Sequence, residues 1–155
     1  MTTTVVDTSA VLSLLYDEGR DVSETLAAAA SDGRLVINPV VYAELAADPT
    51  FDDADALEYF LDDVGIGVES PPREADFLAG EAFQTYLDRR GEGLQCPSCG
   101  SQTTVFCPDC GEPLAVRQHV ASDFLIGAHA ATAGQLVSYD SGFYRDYFDI
   151  DEVLP

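Results

Sequence analysis

Two sets of residues in this chain have types and spacing suited to holding metal ions. Four cysteines fall in two copies of one pentapeptide, Cys96-Pro-Ser-Cys99-Gly and Cys107-Pro-Asp-Cys110-Gly. Each C-x-x-C pair can present two thiolates to one ion, and the glycine that follows permits the tight turn that aims backbone N–H groups at sulfur. Two such pairs supply four ligands for a closed tetrahedral Zn²⁺ with no position left for water, so that zinc would be structural. Two disulfides or free thiols in a loop are the plainer alternative, but the repetition of the motif favours metal. Carboxylates form the second set. Asp7 and Asp140 each follow a β-rich apolar run, Glu44 lies about one turn into a helix, and Asp123 begins another. Hard oxygen ligands brought from several elements are what Mg²⁺ or Mn²⁺ requires. Among 28 acids some fall at strand ends by accident, and N-capping accounts equally well for Asp123.

The elements that must position these groups follow from pattern. Thr3 to Val6 predicts a strand ending at Asp7, with Thr8 or Ser9 capping a helix that carries Val11, Leu12, Leu14 and Leu15. A helix is expected over Val22 to Ala30, stopping near Gly33, and Leu35-Val36-Ile37 fits a buried parallel strand. Pro39 opens the helix that carries Val41, Tyr42, Glu44 and Leu45. Further helices are predicted over Asp53 to Val64, Glu74 to Arg90, and Phe124 to Ala133, the last capped by Ser122-Asp123. Ile66-Gly67-Val68 and Leu136 to Tyr139 complete the strands. Alternating strands and helices imply an α/β fold in which a parallel sheet has helices on both sides. Between two of these helices, from Gly91 to about Val116, the chain turns rich in Gly, Pro and Cys. We read residues 92–116 as an insertion, and residues 1–91 and 117–155 as one discontinuous domain.

Charge narrows the function. The 155 residues carry 28 Asp and Glu against seven arginines and no lysine, a net charge of −21. The acids are spread along a chain that is 46% hydrophobic, unlike a disordered acidic tail. Attraction of nucleic acid or anionic membrane by bulk charge is excluded. Such compositions resemble those of halophilic archaeal proteins, and near 1 M salt a Debye length of about 3 Å almost silences self-repulsion. No stretch approaches the ~18 apolar residues of a spanning helix, and no signal peptide is expected at the N-terminus. A cytoplasmic location follows, and its reducing chemistry again makes the cysteines metal ligands before disulfides.

The segments Val6-Asp7-Thr8-Ser9-Ala10, Val40-Val41-Tyr42-Ala43-Glu44-Leu45, Ser122-Asp123-Phe124-Leu125-Ile126-Gly127-Ala128-His129-Ala130 and Tyr139-Asp140-Ser141-Gly142-Phe143-Tyr144 resemble the successive motifs of the PIN domain, most closely those of VapC-type toxin ribonucleases. The ending, from Gly142-Phe143-Tyr144-Arg145 through Tyr147-Phe148 to Leu154-Pro155, is also similar. The resemblance covers about 130 residues, all but the cysteine segment, which itself resembles a zinc ribbon with minimal hairpins. It implies a PIN-like three-layer α/β fold and a metal-dependent endoribonuclease that hydrolyses RNA phosphodiester bonds. The family's acids fall on Asp7, Glu44, Asp123 and Asp140. Asp7 and Asp140 would ligate Mg²⁺ or Mn²⁺ directly, and Glu44 and Asp123 directly or through water. Many relatives have a further acid after the last of these, where Ser141 and Gly142 stand here. The resemblance also implies a small antitoxin partner and a homodimer. Two alternatives are an RNA-maturation PIN nuclease acting on ribosomal RNA, and a non-catalytic PIN-like scaffold that binds partners through its ribbon.

Other residues are more ambiguous. Thr8 or Ser9 could orient a carboxylate or merely cap a helix. Arg89, Arg90, Arg117 and Arg145 could contact phosphate, although pairing with surplus acids is the simpler expectation. Neither His119 nor His129 has a partner in the pattern, and His129, on an apolar helix, is expected to be packed. The stripe Phe77, Leu78, Phe83, Tyr86, Leu87 is expected in the core or at a dimer surface. Clustered carboxylates should raise at least one pKa.

Overall fold

β-branched residues from Thr2 to Val6 form the first strand, and the chain leaves it at Asp7. The computed structural model describes residues 1–18, 20–89, 93–96, 99, 101–114 and 121–154. In chain order its elements are β1 (Thr2–Val6), α1 (Thr8–Leu15), α2 (Arg20–Asp32), β2 (Gly33–Ile37), α3 (Pro39–Ala46), α4 (Ala54–Val64), β3 (Ile66–Val68) and α5 (Arg73–Arg89). Then follow β4 (Leu94–Gln95), β5 (Gln102–Thr103), β6 (Val105–Phe106), β7 (Pro113–Leu114), α6 (Ala121–Ala133), β8 (Gly134–Val137), α7 (Ser141–Tyr147) and β9 (Glu152–Leu154).

Local chemistry sets several boundaries. Asn38 caps α3 by accepting the N–H groups of Val40 and Val41, each at 3.0 Å, while Pro39 occupies the first turn, where no donor is needed. Asp53 caps α4 through the Ala56 N–H at 2.9 Å, and Gly65, at φ 72°, ends that helix in the left-handed conformation.

The main sheet has strand order β3-β2-β1-β8-β9, and every pairing is parallel. Val5 and Val6 point to opposite faces because side chains alternate along a strand, yet both are fully buried. Val36 and Ile37, and Leu136 and Val137, repeat this pattern. Both faces of the sheet are therefore covered, and the arrangement has three layers. Helix α2 packs on β2, α4 on β3, and α6 on β1 and β8, with α5 laid against α6. Phe124 of α6 anchors that last contact, its ring centroid 5.2 Å from Phe83, 5.5 Å from Tyr86 and 5.2 Å from Phe143. Most of the aromatic stripe on α5 is thus core, while Phe77 is exposed.

The structure differs from the sequence expectation at several element ends and in two unanticipated elements. Helix α2 already includes Arg20, ahead of the expected Val22. Helix α6 already includes Ala121, so Ser122 and Asp123 lie inside the helix instead of capping it. Strand β8 stops at Val137, which leaves Ser138 and Tyr139 in the turn beyond. Neither α7 nor β9 was anticipated. Helix α7, only seven residues long, is held by the burial of Phe143 and Tyr144, since so short a helix has little stability of its own. In the cysteine segment, β4 pairs with β5 and β6 with β7 as two antiparallel hairpins outside the main sheet.

Candidate functional site

Val6 and Val137 are register partners at the carboxyl ends of β1 and β8. The chain turns away from the sheet just beyond both, at the point where successive connections run to opposite sides of β1, the usual ligand crevice of an open α/β sheet. Asp7 is fixed there by its own N–H, which donates to the Val137 carbonyl at 2.9 Å. Its carboxylate is 7% exposed and accepts the hydroxyls of Ser138 at 2.7 Å and Ser9 at 3.0 Å on one oxygen, Oδ2. Ser138 also accepts the backbone N–H of Asp140 at 3.0 Å, tying the two strand-end acids together through one hydroxyl.

Thr8 and Ser9 do not cap α1; the cap residue is Asp7, whose side chain makes no capping bond. Both hydroxyls bind carboxylates instead. Ser9 donates to Asp7, and Thr8 donates to Glu44 of α3 through a short bond. Glu44 is thereby anchored to the turn that carries Asp7. Asp123, in the first turn of α6, is close enough to raise the Asp7 pKa by its charge.

Desolvation is the larger cause of that rise. Burial pushes the Asp7 carboxyl up, the bonds from Ser138, Ser9 and the Thr8 backbone partly offset it, and Asp123 adds a smaller push. A raised pKa was expected from mutual repulsion, but the first cause is the loss of water. Beside Asp7 lies the phenol of Tyr144, buried to 1% exposure. Burial first, then the charges of Asp7, Asp123 and Asp140, hold its hydroxyl protonated far beyond the ordinary range. Three acids, from the turn after β1, from α6 and from the turn after β8, therefore act on one buried phenol.

Asp7, Glu44, Asp123 and Asp140 are thus drawn toward one edge of the sheet. Among the described residues, however, no three His, Cys, Asp or Glu side chains close tightly enough to hold a metal ion. The donor chemistry nevertheless fits a hard divalent ion. Asp7 is a buried carboxylate in the field of a second acid, with no cationic side chain in ion-pair contact among the described residues. Mg²⁺ commonly keeps several waters and needs only one or two carboxylates, so a tight cage is not required.

The cysteines form two half-sites. Cys99 lies against Cys96, and the Ser101 hydroxyl and backbone lower its pKa; Cys107 lies against Cys110 and is lowered by the backbone N–H groups of Cys110 and Asp109. One thiol of each knuckle is thus lowered, and no disulfide is formed among the four cysteines. Among the described residues the expected group of four sulfurs is not assembled, and Val105, Phe106 and Leu114 of the second hairpin are exposed.

The remaining candidates fall away from the carboxylates. The Arg89 guanidinium sits over the Tyr147 ring at 5.5 Å, and Arg145 donates to the Val153 carbonyl at 3.4 Å. Neither follows the expected pairing with acids, which among the described residues is made by Arg34 with Glu69. His129 is buried and its pKa is pushed down by burial, so it packs as a neutral ring. Arg90, Arg117 and His119, together with the ends of the insertion at 92 and 116, lie outside the described residues. Ser138 and Tyr144 were not identified from sequence, although a hydroxyl two residues before Asp140 and an aromatic four residues after it were the available signals.

The central parallel sheet, flanked by helices and carrying acids at one edge, is the PIN-like α/β class of fold. A chain of the VapBC2 complex from Rickettsia felis, solved with a DNA fragment from the complex's promoter, is similar over 99% of this chain and 100% of its own, with a TM-score of 0.62 and 17% identity. VapBC-1 from nontypeable Haemophilus influenzae is similar over 93% of this chain and 91% of its own, with a TM-score of 0.57 and 16% identity. No protein-family model and no curated protein sequence matches the chain.

Proposed function

We propose that this chain is a metal-dependent endoribonuclease, the toxin of a toxin–antitoxin pair. The observation that carries this is the buried Asp7 at the carboxyl edge between β1 and β8, its pKa raised and its field shared with Asp123 and Asp140 at Tyr144. Asp7 and Asp140 would hold Mg²⁺ or Mn²⁺, with Glu44 and Asp123 completing the ligand set directly or through water. When bound, such an ion supplies an activated water and neutralises charge that builds on the phosphate. The protein's own part is orientation. Ser9 and Ser138 hold one oxygen of Asp7, Thr8 fixes Glu44, and Tyr144 stays protonated so that it adds no further negative charge.

The likeness to chains of two VapBC complexes supports an antitoxin as partner, and exposed apolar residues such as Phe77 and Tyr59 suit a homodimer. We further assign Zn²⁺ to Cys96, Cys99, Cys107 and Cys110, as the structural ion of an inserted ribbon over residues 92–116. The thiolate-favouring knuckles support this, and the role is confined to folding, because four sulfurs leave no open position.

The test is cleavage of RNA with Mg²⁺ or Mn²⁺ at molar salt, wild type beside Asp7→Asn. Cleavage by the wild type and a loss of 100-fold or more in the variant, on the order of what a central ligand supplies, is expected. Full activity in Asp7→Asn refutes the site.

A further inference from the structure

Beside the carboxylates is a shallow cavity of about 410 Å³ lined by Ser9, Ser13, Glu18 and Tyr139. Ser9 is the residue whose hydroxyl binds Asp7, so the cavity adjoins the proposed cleavage site. Tyr139 stands between Ser138, which holds Asp7, and Asp140. Its ring is 52% exposed, but its hydroxyl lies 3.2 Å from that of Ser13, a residue only 7% exposed. The ring is therefore presented to solvent in an orientation set from beneath.

We propose that Tyr139 is a stacking platform for an unpaired nucleobase next to the scissile phosphate. This rests on the nuclease function proposed above. The charge distribution supports it. Three of the described arginines are engaged elsewhere: Arg89 by Tyr147, Arg145 by the Val153 carbonyl, and Arg34 by Glu69 toward the opposite edge of the sheet. A chain with net charge −21 cannot draw RNA by bulk attraction, and at molar salt that attraction would be screened in any case. Affinity has to come from contacts that survive salt, and stacking on an aromatic face is one. A base can use that face only when it is not already stacked and paired within a duplex.

The experiment compares wild type, Tyr139→Phe and Tyr139→Ala at molar salt, each checked for an unchanged melting temperature. Cleavage kinetics are measured on one RNA, first as a single strand and then annealed to its complement. In parallel, a single strand carrying 2-aminopurine is titrated without added Mg²⁺ or Mn²⁺, so that cleavage is withheld and the zinc stays in place, and its fluorescence reports stacking. Tyr139→Ala should raise KM on the single strand by roughly 5- to 150-fold, the range of one base stack, change kcat little, and abolish the quenching. Tyr139→Phe, which keeps the ring, should retain both. The duplex should be a poor substrate for all three. If wild type cleaves but Tyr139→Ala matches it in KM and quenching, the platform is overturned and the nuclease stands. Equal cleavage of duplex and single strand also overturns the platform. If wild type cleaves neither RNA, the nuclease function falls and the platform with it.

Discussion

Asp7 is the residue on which stability and chemistry conflict. Its folded-state pKa lies above the unfolded value because burial disfavours the charge. The native state therefore holds its proton to higher pH than the unfolded chain does, and stability falls as pH rises through the window between the two values. Asp7→Asn, which can still accept from Ser9 and Ser138, should be more stable than wild type at neutral pH. The difference should vanish as pH falls below that window. Denaturant melts of both proteins across pH 3 to 8 check this, and a constant difference would mean that Asp7 does not titrate within the window. A divalent ion should narrow the neutral-pH gap by stabilising only the wild type. Of this residue's surroundings, the sequence showed the acids and the hydroxyls of Thr8 and Ser9. Ser138 and Tyr144 escaped because their roles depend on a side-by-side strand pairing 131 residues apart, which no local pattern announces.

At the scale of elements, α6 is the piece that admits least change. A β-carbon added at Gly127 would lie 2.3 Å from the Phe148 ring and 2.9 Å from the Tyr144 ring. These rings are fixed in the aromatic cluster and cannot simply swing aside. Gly127→Ala should cost about 1–3 kcal/mol and, by displacing Tyr144, disturb Asp7 as well; an unchanged thermal melt would contradict the packing described. The hairpins present the opposite case, because they have almost no core to disturb. Zinc analysis of Cys96→Ser should show the ion lost, and chelation should disorder residues 94–114 while cleavage of a short RNA largely persists. Undiminished zinc in Cys96→Ser would eliminate the four-sulfur site. The long helices and buried strands were legible because their apolar periodicity is strong, and Asn38-Pro39 marks a helix start unaided. Helix α7 and strand β9 were not, since Asp140-Ser141-Gly142 looks like a turn, and Glu152–Leu154 is a three-residue edge strand among acids. Both exist because of what they pack on.

The whole molecule carries its charge with little internal compensation: Arg34–Glu69 is the ion pair formed among the described residues. Raising sodium chloride from about 0.1 M to about 2 M should therefore raise Tm, by roughly 2–4 °C for each kcal/mol of repulsion relieved. Calorimetry that shows no rise would mean that the acids are too far apart to matter. The strand order has a different consequence, which concerns time. Strand β1 is early in the chain but central in the sheet, and its second neighbour, β8, begins only at Gly134. At ~5–20 residues per second, a ribosome needs roughly 6–26 s to travel from one to the other. For that interval the edge of Thr2–Val6 destined for the middle of the protein stands open to any strand that meets it. The nascent chain is thus most prone to mispairing along the strand that leads directly into Asp7.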